Sequence, residues 1–300
     1  MIDVKNHYGF TRTPFGKDLA PSMLCRYPAH AEAVARITWC ARERALGVIT
    51  GEVGSGKTAS ARAAIAALDQ TRHTLIYLPD PTTGTRGIHH HVVTALGGRP
   101  AHGSAELAAQ AASLIAAEHG ERGRVPLLVI DEAHLLTHAQ LEAVRILTNS
   151  EMDAASPLAC LLIGQPTLRR MLRLGVLAAL DQRIGLRYAM PAMTAEQTAA
   201  YITHHLQLAG RSDAIFSEDA MTLVHDAARG LPRAVNNIAT QALVAAMAAR
   251  KNIVDEQSAR AAVNETRSRQ TDHHRATPHT KAPPAAVGGA FFTPAHPHHE

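Results

Sequence analysis

Aromatic residues are scarce in this chain of 300 residues: one Trp, five Tyr and five Phe make up 4% of it, whereas hydrophobic residues of all kinds reach 46%. The core must therefore be built from Ala, Leu, Val and Ile. Cysteine is scarcer still. Cys25, Cys40 and Cys160 form no C-x-x-C pair and leave one over in any pairing, which excludes a disulfide framework and points to reduced thiols in a cytoplasmic setting. No stretch approaches the ~18 consecutive apolar residues of a membrane segment. The opening MIDVKNHYGF also lacks the basic start and apolar run of a signal peptide. A strong charge of one sign is missing too. The formal net charge is +4, and Arg267, Arg269, Arg275 and Lys281 against Asp272 and Glu300 place about half of it in the last stretch. Nucleic-acid binding is permitted by this balance but not demanded by it.

From about residue 266 the composition turns to Pro, His, Ala and Thr without apolar periodicity, which predicts a disordered tail over 266–300. Its six histidines read as solvated rather than metal-binding. Before it, short apolar runs at 46–50, 74–79, 125–131, 158–164 and 185–190 read as strands. Helical stretches at 57–69, 86–97, 104–119, 138–150 and 166–180 separate them. Continuous apolar strands alternating with helices predict an α/β fold, a parallel sheet sandwiched by helices. After Pro191 four helical segments follow, with Thr, Ser and Asp at their starts and Gly at their ends. The expected organisation is an α/β nucleotide-binding domain over 1–192, including an N-terminal extension at 1–28, and a small all-α lid over 193–265.

The stretch GEVGSGKT, Gly51 to Thr58, fits the phosphate-binding pattern G-x-x-x-x-G-K-[ST] and falls between a predicted strand and a predicted helix. Glycines let the backbone wrap a phosphate, and the amides at the helix start point at it. Gly51, Glu52, Val53, Gly54, Ser55, Gly56, Lys57, Thr58 and Ala59 thus form the expected ATP-binding run. Lys57 would neutralise β- and γ-phosphate charge, and the Thr58 hydroxyl would take a Mg²⁺ position. Asp131 and Glu132 end the strand LLVID. Because side chains alternate along a strand, the two point to different sides, Asp131 to the Mg²⁺ shell and Glu132 to the attacking water.

Gln165, just past the next strand, can contact the γ-phosphate or the water, or is a turn residue before Pro166. Arg183 and Arg187 stand where a helix meets the fifth strand. One can supply charge to a neighbouring subunit's site, and Arg187 reads more readily as a surface cation. In GLPRAVNN, Gly230 closes one helix, Pro232 opens the next, and Arg233 projects from its start. Consecutive His89, His90 and His91 fan about 100° apart on a helix and do not converge on one metal. Arg169 and Arg173 share a helix face, which suits either a DNA-backbone contact or solvent.

The ordered set HYGFTRTPFGKD, YPAHAEAVARI, GEVGSGKT, VIDEAHLL, LLIGQPTLRRML, LDQRI and GLPRAVNNI resembles the AAA+ ATPases, and more narrowly the ExeA/TniB/TnsC group, over about residues 5–265. That resemblance implies Lys57, Thr58, Asp131 and Glu132 as ATP and Mg²⁺ residues. It further implies Gln165 as first sensor, Arg183 as an arginine finger acting on a neighbouring subunit, and Arg233 as second sensor. Members are either ATPases of secretion systems with a membrane segment, or transposition helpers that assemble on duplex DNA with ATP and guide a transposase or integrase. With no membrane segment or extra module present, the expectation is a homo-oligomeric transposition helper, with the secretion adaptor acting through protein partners as the alternative. The Asp-Glu-Ala-His tetrapeptide also resembles the label of a helicase class. Those enzymes need a second α/β domain between the elements matched by Asp131 and Arg183, and the interval between these two residues is too short for one.

Overall fold

The computed structural model describes residues 3–149 and 156–276. Five strands, β1 (Leu46–Thr50), β2 (His73–Leu78), β3 (Val125–Ile130), β4 (Ala159–Gly164) and β5 (Ile184–Ala189), form one parallel sheet in the order β2-β3-β4-β1-β5. Helices α1 (Val4–Tyr8) and α2 (Pro28–Arg42) precede β1, α3 (Lys57–Ala67) follows it, and α4 (Gly84–Ala95) and α5 (Ser104–Gly120) join β2 to β3. Then come α6 (His138–Leu147), α7 (Pro166–Leu172) and α8 (Ala178–Arg183), and after the sheet α9 (Ala195–Leu208), α10 (Glu218–Ala228), α11 (Pro232–Ala248) and α12 (Glu256–Ala276).

Every residue of β4 and all but the first of β3 are buried, as expected for strands covered on both faces. Alternation sends Leu127, Val129, Leu161 and Ile163 to one core, and Leu128, Ile130, Cys160 and Leu162 to the other. The second core, under α4 to α8, holds no aromatic residue among its buried members. Seven of the eleven aromatic residues lie instead in the first core: Tyr8, Phe10, Phe15, Tyr27, Tyr188, Tyr201 and Phe216. There the N-terminal segment, α2 and the helices after the sheet meet. All three cysteines are free thiols.

Thr137 and Thr194 open α6 and α9 with reciprocal capping boxes to Gln140 and Gln197, which is why these helices begin where a Thr predicts. Two expectations need correction. The helix predicted over 166–180 is broken: α7 stops at Leu172, and a 3-10 turn at Gly175–Leu177 leads into α8. Leu174 takes an extended conformation (φ −69°, ψ 138°) and Gly175 follows it, so the helical ladder cannot continue. The tail predicted as disordered from residue 266 is helical as far as Ala276, because nothing between Glu256 and Ala276 is Pro or Gly and the first helix breaker is Pro278. The rest of that tail, from residue 277, lies outside the described residues. No helix among the described residues is long and apolar enough to cross a membrane.

Candidate nucleotide site

The loop between β1 and α3 has the backbone a phosphate cradle needs. Gly54 (φ 81°) and Gly56 (φ 94°) are left-handed, a conformation that costs a side-chain-bearing residue energy. A Cβ on Gly56 would also stand 2.9 Å from the Tyr27 hydroxyl, which itself donates to the Ser55 carbonyl at 3.1 Å. Tyr27, placed just before α2, therefore braces the loop from behind. Lys57 is buried and folds back, its Nζ donating to the carbonyls of Gly51 and Glu52, each at 2.9 Å. Burial lowers its pKa first of all, and the nearby carboxylates of Glu132 and Asp131 pull the other way.

Thr58 Oγ1 donates to Asp131 Oδ2 at 2.9 Å, so the end of β3 and the start of α3 already meet where a cation would join them. The other oxygen of Asp131 accepts the Glu132 amide at 2.9 Å, and the Tyr77 hydroxyl reaches Oδ2 at 3.3 Å. Glu132 is a left-handed non-glycine residue (φ 49°, ψ 34°), the kind of backbone strain that clusters at working sites. Its side chain is 52% exposed. That turn folds Ala133–Leu135 back against the end of β4. It brings His134 Nδ1 within 3.4 Å of both Glu132 Oε2 and the Gln165 amide.

A cavity of about 410 Å³ opens in front of these groups, a volume typical of small-molecule sites. Val53, Gly54, Gly56, Lys57, Thr58, Ala59, Glu132, Gln165 and Arg233 line it. The Arg233 amide donates to the Gly54 carbonyl at 3.2 Å, and a Cβ on Gly54 would stand 2.8 Å from Arg233 Cβ, so the start of α11 rests directly on the loop. Gly230, left-handed at φ 66°, lets this turn pack on Met193, whose carbonyl leaves no room for a Cβ.

Six of the predicted residues, Lys57, Thr58, Asp131, Glu132, Gln165 and Arg233, thus converge. Arg183 does not join them. It ends α8 at the opposite end of the sheet, bonding the Thr148 carbonyl at 3.4 Å beside Arg44 and Leu46. Leu46 and Gly51 are separated by the whole of β1, roughly 16 Å at the usual rise. Arg187 pairs with Asp181 at 2.8 Å on the surface, and Arg169, Arg170 and Arg173 are exposed around α7. His89 is buried, His90 is exposed, and His91 bonds the Tyr77 carbonyl at 2.7 Å, so the three diverge.

Sequence reasoning missed the far wall of the cavity. It is made by Phe15, Gly16, Lys17, Leu19 and Leu24 of the N-terminal segment, with Tyr201, His205 and Asn236 from α9 and α11. Phe15 stacks on His205 at 5.2 Å between centroids, Tyr201 approaches the same ring at 4.5 Å, and His204 bonds the Met23 carbonyl at 2.9 Å. Arg62 on α3 reaches the Leu19 carbonyl at 3.0 Å, so one strap of chain is tied both to the phosphate-loop helix and to α9. The one available signal was the crowding of rare aromatic residues into the first thirty positions.

Residues 41–172 match the AAA domain family. General secretion pathway protein A of Aeromonas hydrophila is 32% identical over 250 residues, which cover 80% of this chain and 44% of that protein, so the chain spans less than half of its relative's length. Among solved structures, Drosophila ORC bound to DNA is similar with a TM-score of 0.65 and 18% identity, over 88% of this chain and 67% of that one. Cdc6p from Pyrobaculum aerophilum gives 0.63 and 17%, over 80% and 67%. The Thermotoga maritima RuvB branch-migration motor gives 0.52 and 17%, over 79% and 68%. At such identities these likenesses speak to the fold alone. The phosphate loop, the Asp-Glu strand end, the sheet order and the family match agree: residues 41–172 form an AAA domain, and the chain is similar to General secretion pathway protein A over most of its own length.

Proposed function

We propose that this chain is a Mg²⁺-ATP-driven switch that assembles with copies of itself. The observation that carries the reading is the convergence of Lys57, the Thr58–Asp131 pair and the Arg233-bearing start of α11 on one cavity. The residues fit the nucleotide. Gly54 and Gly56 hold the left-handed backbone such a loop needs, with Arg233 and Tyr27 packed where a Cβ would stand, and Ser55 Oγ is buried without a partner among the described residues. Bound Mg²⁺-ATP would supply the phosphoanhydride to be cleaved. Lys57 would leave its loop carbonyls to meet phosphate charge, while Thr58 and Asp131 would hold the cation. Glu132 is the group that orients and polarises water, and Gln165 and Arg233 respond to the outermost phosphate, Arg233 from α11 so that nucleotide state bears on the angle of the helices after the sheet. Arg183, on the far side of the molecule, would act on a neighbouring copy.

For the output we propose assembly on duplex DNA that directs a transposase. The fold shared with DNA-bound ORC and the exposed Arg169, Arg170 and Arg173 support it. A second reading, a nucleotide-switched adaptor working on protein partners, is favoured by the identity to General secretion pathway protein A. Anisotropy of a labelled duplex, titrated with and without ATP at two salt concentrations, separates them. ATP-dependent binding that weakens steeply with salt supports the DNA reading. ATP-dependent assembly indifferent to DNA supports the adaptor, and no assembly with ATP overturns both.

A further inference from the structure

His134 lies outside the roles assigned so far, yet its placement is unusual. The left-handed turn at Glu132 and the close packing of Ala133–Leu135 on β4 set one atom, His134 Nδ1, between two groups. Glu132 Oε2 is 3.4 Å away on one side and the Gln165 backbone N is 3.4 Å away on the other. The approach is tight. A Cβ on Gly164, the last residue of β4, would stand 3.1 Å from the His134 backbone N and 3.0 Å from Leu168 Cδ2, so any larger residue there would press on this approach. The His134 side chain is 12% exposed, so water competes little for its ring.

An imidazole nitrogen has a single in-plane site. Bare, Nδ1 accepts the Gln165 N–H; protonated, it donates to the Glu132 carboxylate; it cannot do both. We propose that His134 is a positioning residue, whose Nδ1 exchanges between these partners and so couples the orientation of the Glu132 carboxylate to the position of the loop that begins at Gln165. With Nδ1–H turned to Glu132, the carboxylate is held toward the cavity. When the Gln165 amide takes Nδ1, the bare lone pair faces the carboxylate and that hold is lost. The link runs through the backbone of Gln165, so it is separate from whatever the Gln165 side chain senses.

This inference rests on Glu132 being the carboxylate that drives hydrolysis, and the test keeps the two apart. ATP affinity and steady-state hydrolysis are measured for wild type, Glu132→Gln, His134→Leu, His134→Gln and His134→Asn. The Asn amide nitrogen takes the place of Nδ1, whereas that of Gln takes the place of Nε2. Removing an outer partner of a catalytic group typically costs about 10- to 100-fold in activity. His134→Leu and His134→Gln should therefore lose at least about tenfold in kcat with ATP affinity unchanged, His134→Asn should recover most of it, and adding His134→Leu to Glu132→Gln should cost nothing more. Wild-type turnover in His134→Gln, or a loss in His134→Asn equal to that in His134→Leu while ATP still binds, would overturn the proposal. Undiminished hydrolysis in Glu132→Gln would instead overturn the reading beneath it.

Discussion

His205 offers a stability test of the strap that walls the cavity. It is 3% exposed, lies between Phe15 and Tyr201, and has its pKa lowered from 6.5 to about 4, chiefly by burial and secondarily by the neighbouring His204. Between those two pH values the unfolded chain binds a proton that the folded chain refuses, so stability is fully present above 6.5 and is lost as pH falls toward 4. At about 1.4 kcal/mol per pH unit the loss is about 2 kcal/mol at pH 5 and about 3 kcal/mol below both values. His205→Phe keeps an aromatic ring in the stack and removes the titration. Urea unfolding at pH 7.5 and pH 5 should then show a fall in the wild type larger by about 2 kcal/mol than in the variant. Equal falls would mean that His205 is not held neutral by the strap, and the description of that wall would be wrong.

Gly54→Ala places a Cβ 2.8 Å from Arg233 Cβ on a left-handed backbone. A penalty of about 1–2 kcal/mol predicts ATP binding weakened about tenfold, measured by calorimetry, and unchanged affinity would contradict the contact between α11 and the loop. Arg183→Ala should spare ATP binding and lower hydrolysis in the assembled state by about a thousandfold. Mixing it with Glu132→Gln chains should restore part of the activity, because some interfaces then pair an intact Glu132 with an intact Arg183. No recovery in assemblies shown to be mixed would count against action between copies.

What could be read in the sequence depended on how local each feature is. The strands were visible because aliphatic runs buried on both faces leave an uninterrupted apolar signal, as in LACLLIG. The phosphate loop and the Asp-Glu pair were visible because neighbours in sequence there are neighbours in space. The strap was not, since its bonds join residues far apart in the chain, such as the Tyr8 hydroxyl to the Leu243 carbonyl at 3.0 Å and Thr11 Oγ1 to the Ala209 carbonyl at 3.1 Å. No periodicity reports such contacts. His134 stood in plain view within DEAH, but its position between Glu132 and Gln165 follows from a left-handed turn that no propensity assigns to glutamate. The break between α7 and α8 came from one extended leucine, below the resolution of pattern reading.

The most direct test of the central claim is ATP binding and phosphate release by the wild type, Lys57→Ala and Glu132→Gln, side by side in the presence of Mg²⁺. The account predicts that the wild type binds and releases phosphate, that Glu132→Gln binds ATP and holds it uncleaved, and that Lys57→Ala does not bind. ATP affinity in Lys57→Ala equal to that of the wild type, or phosphate release by Glu132→Gln at the wild-type rate, would contradict it.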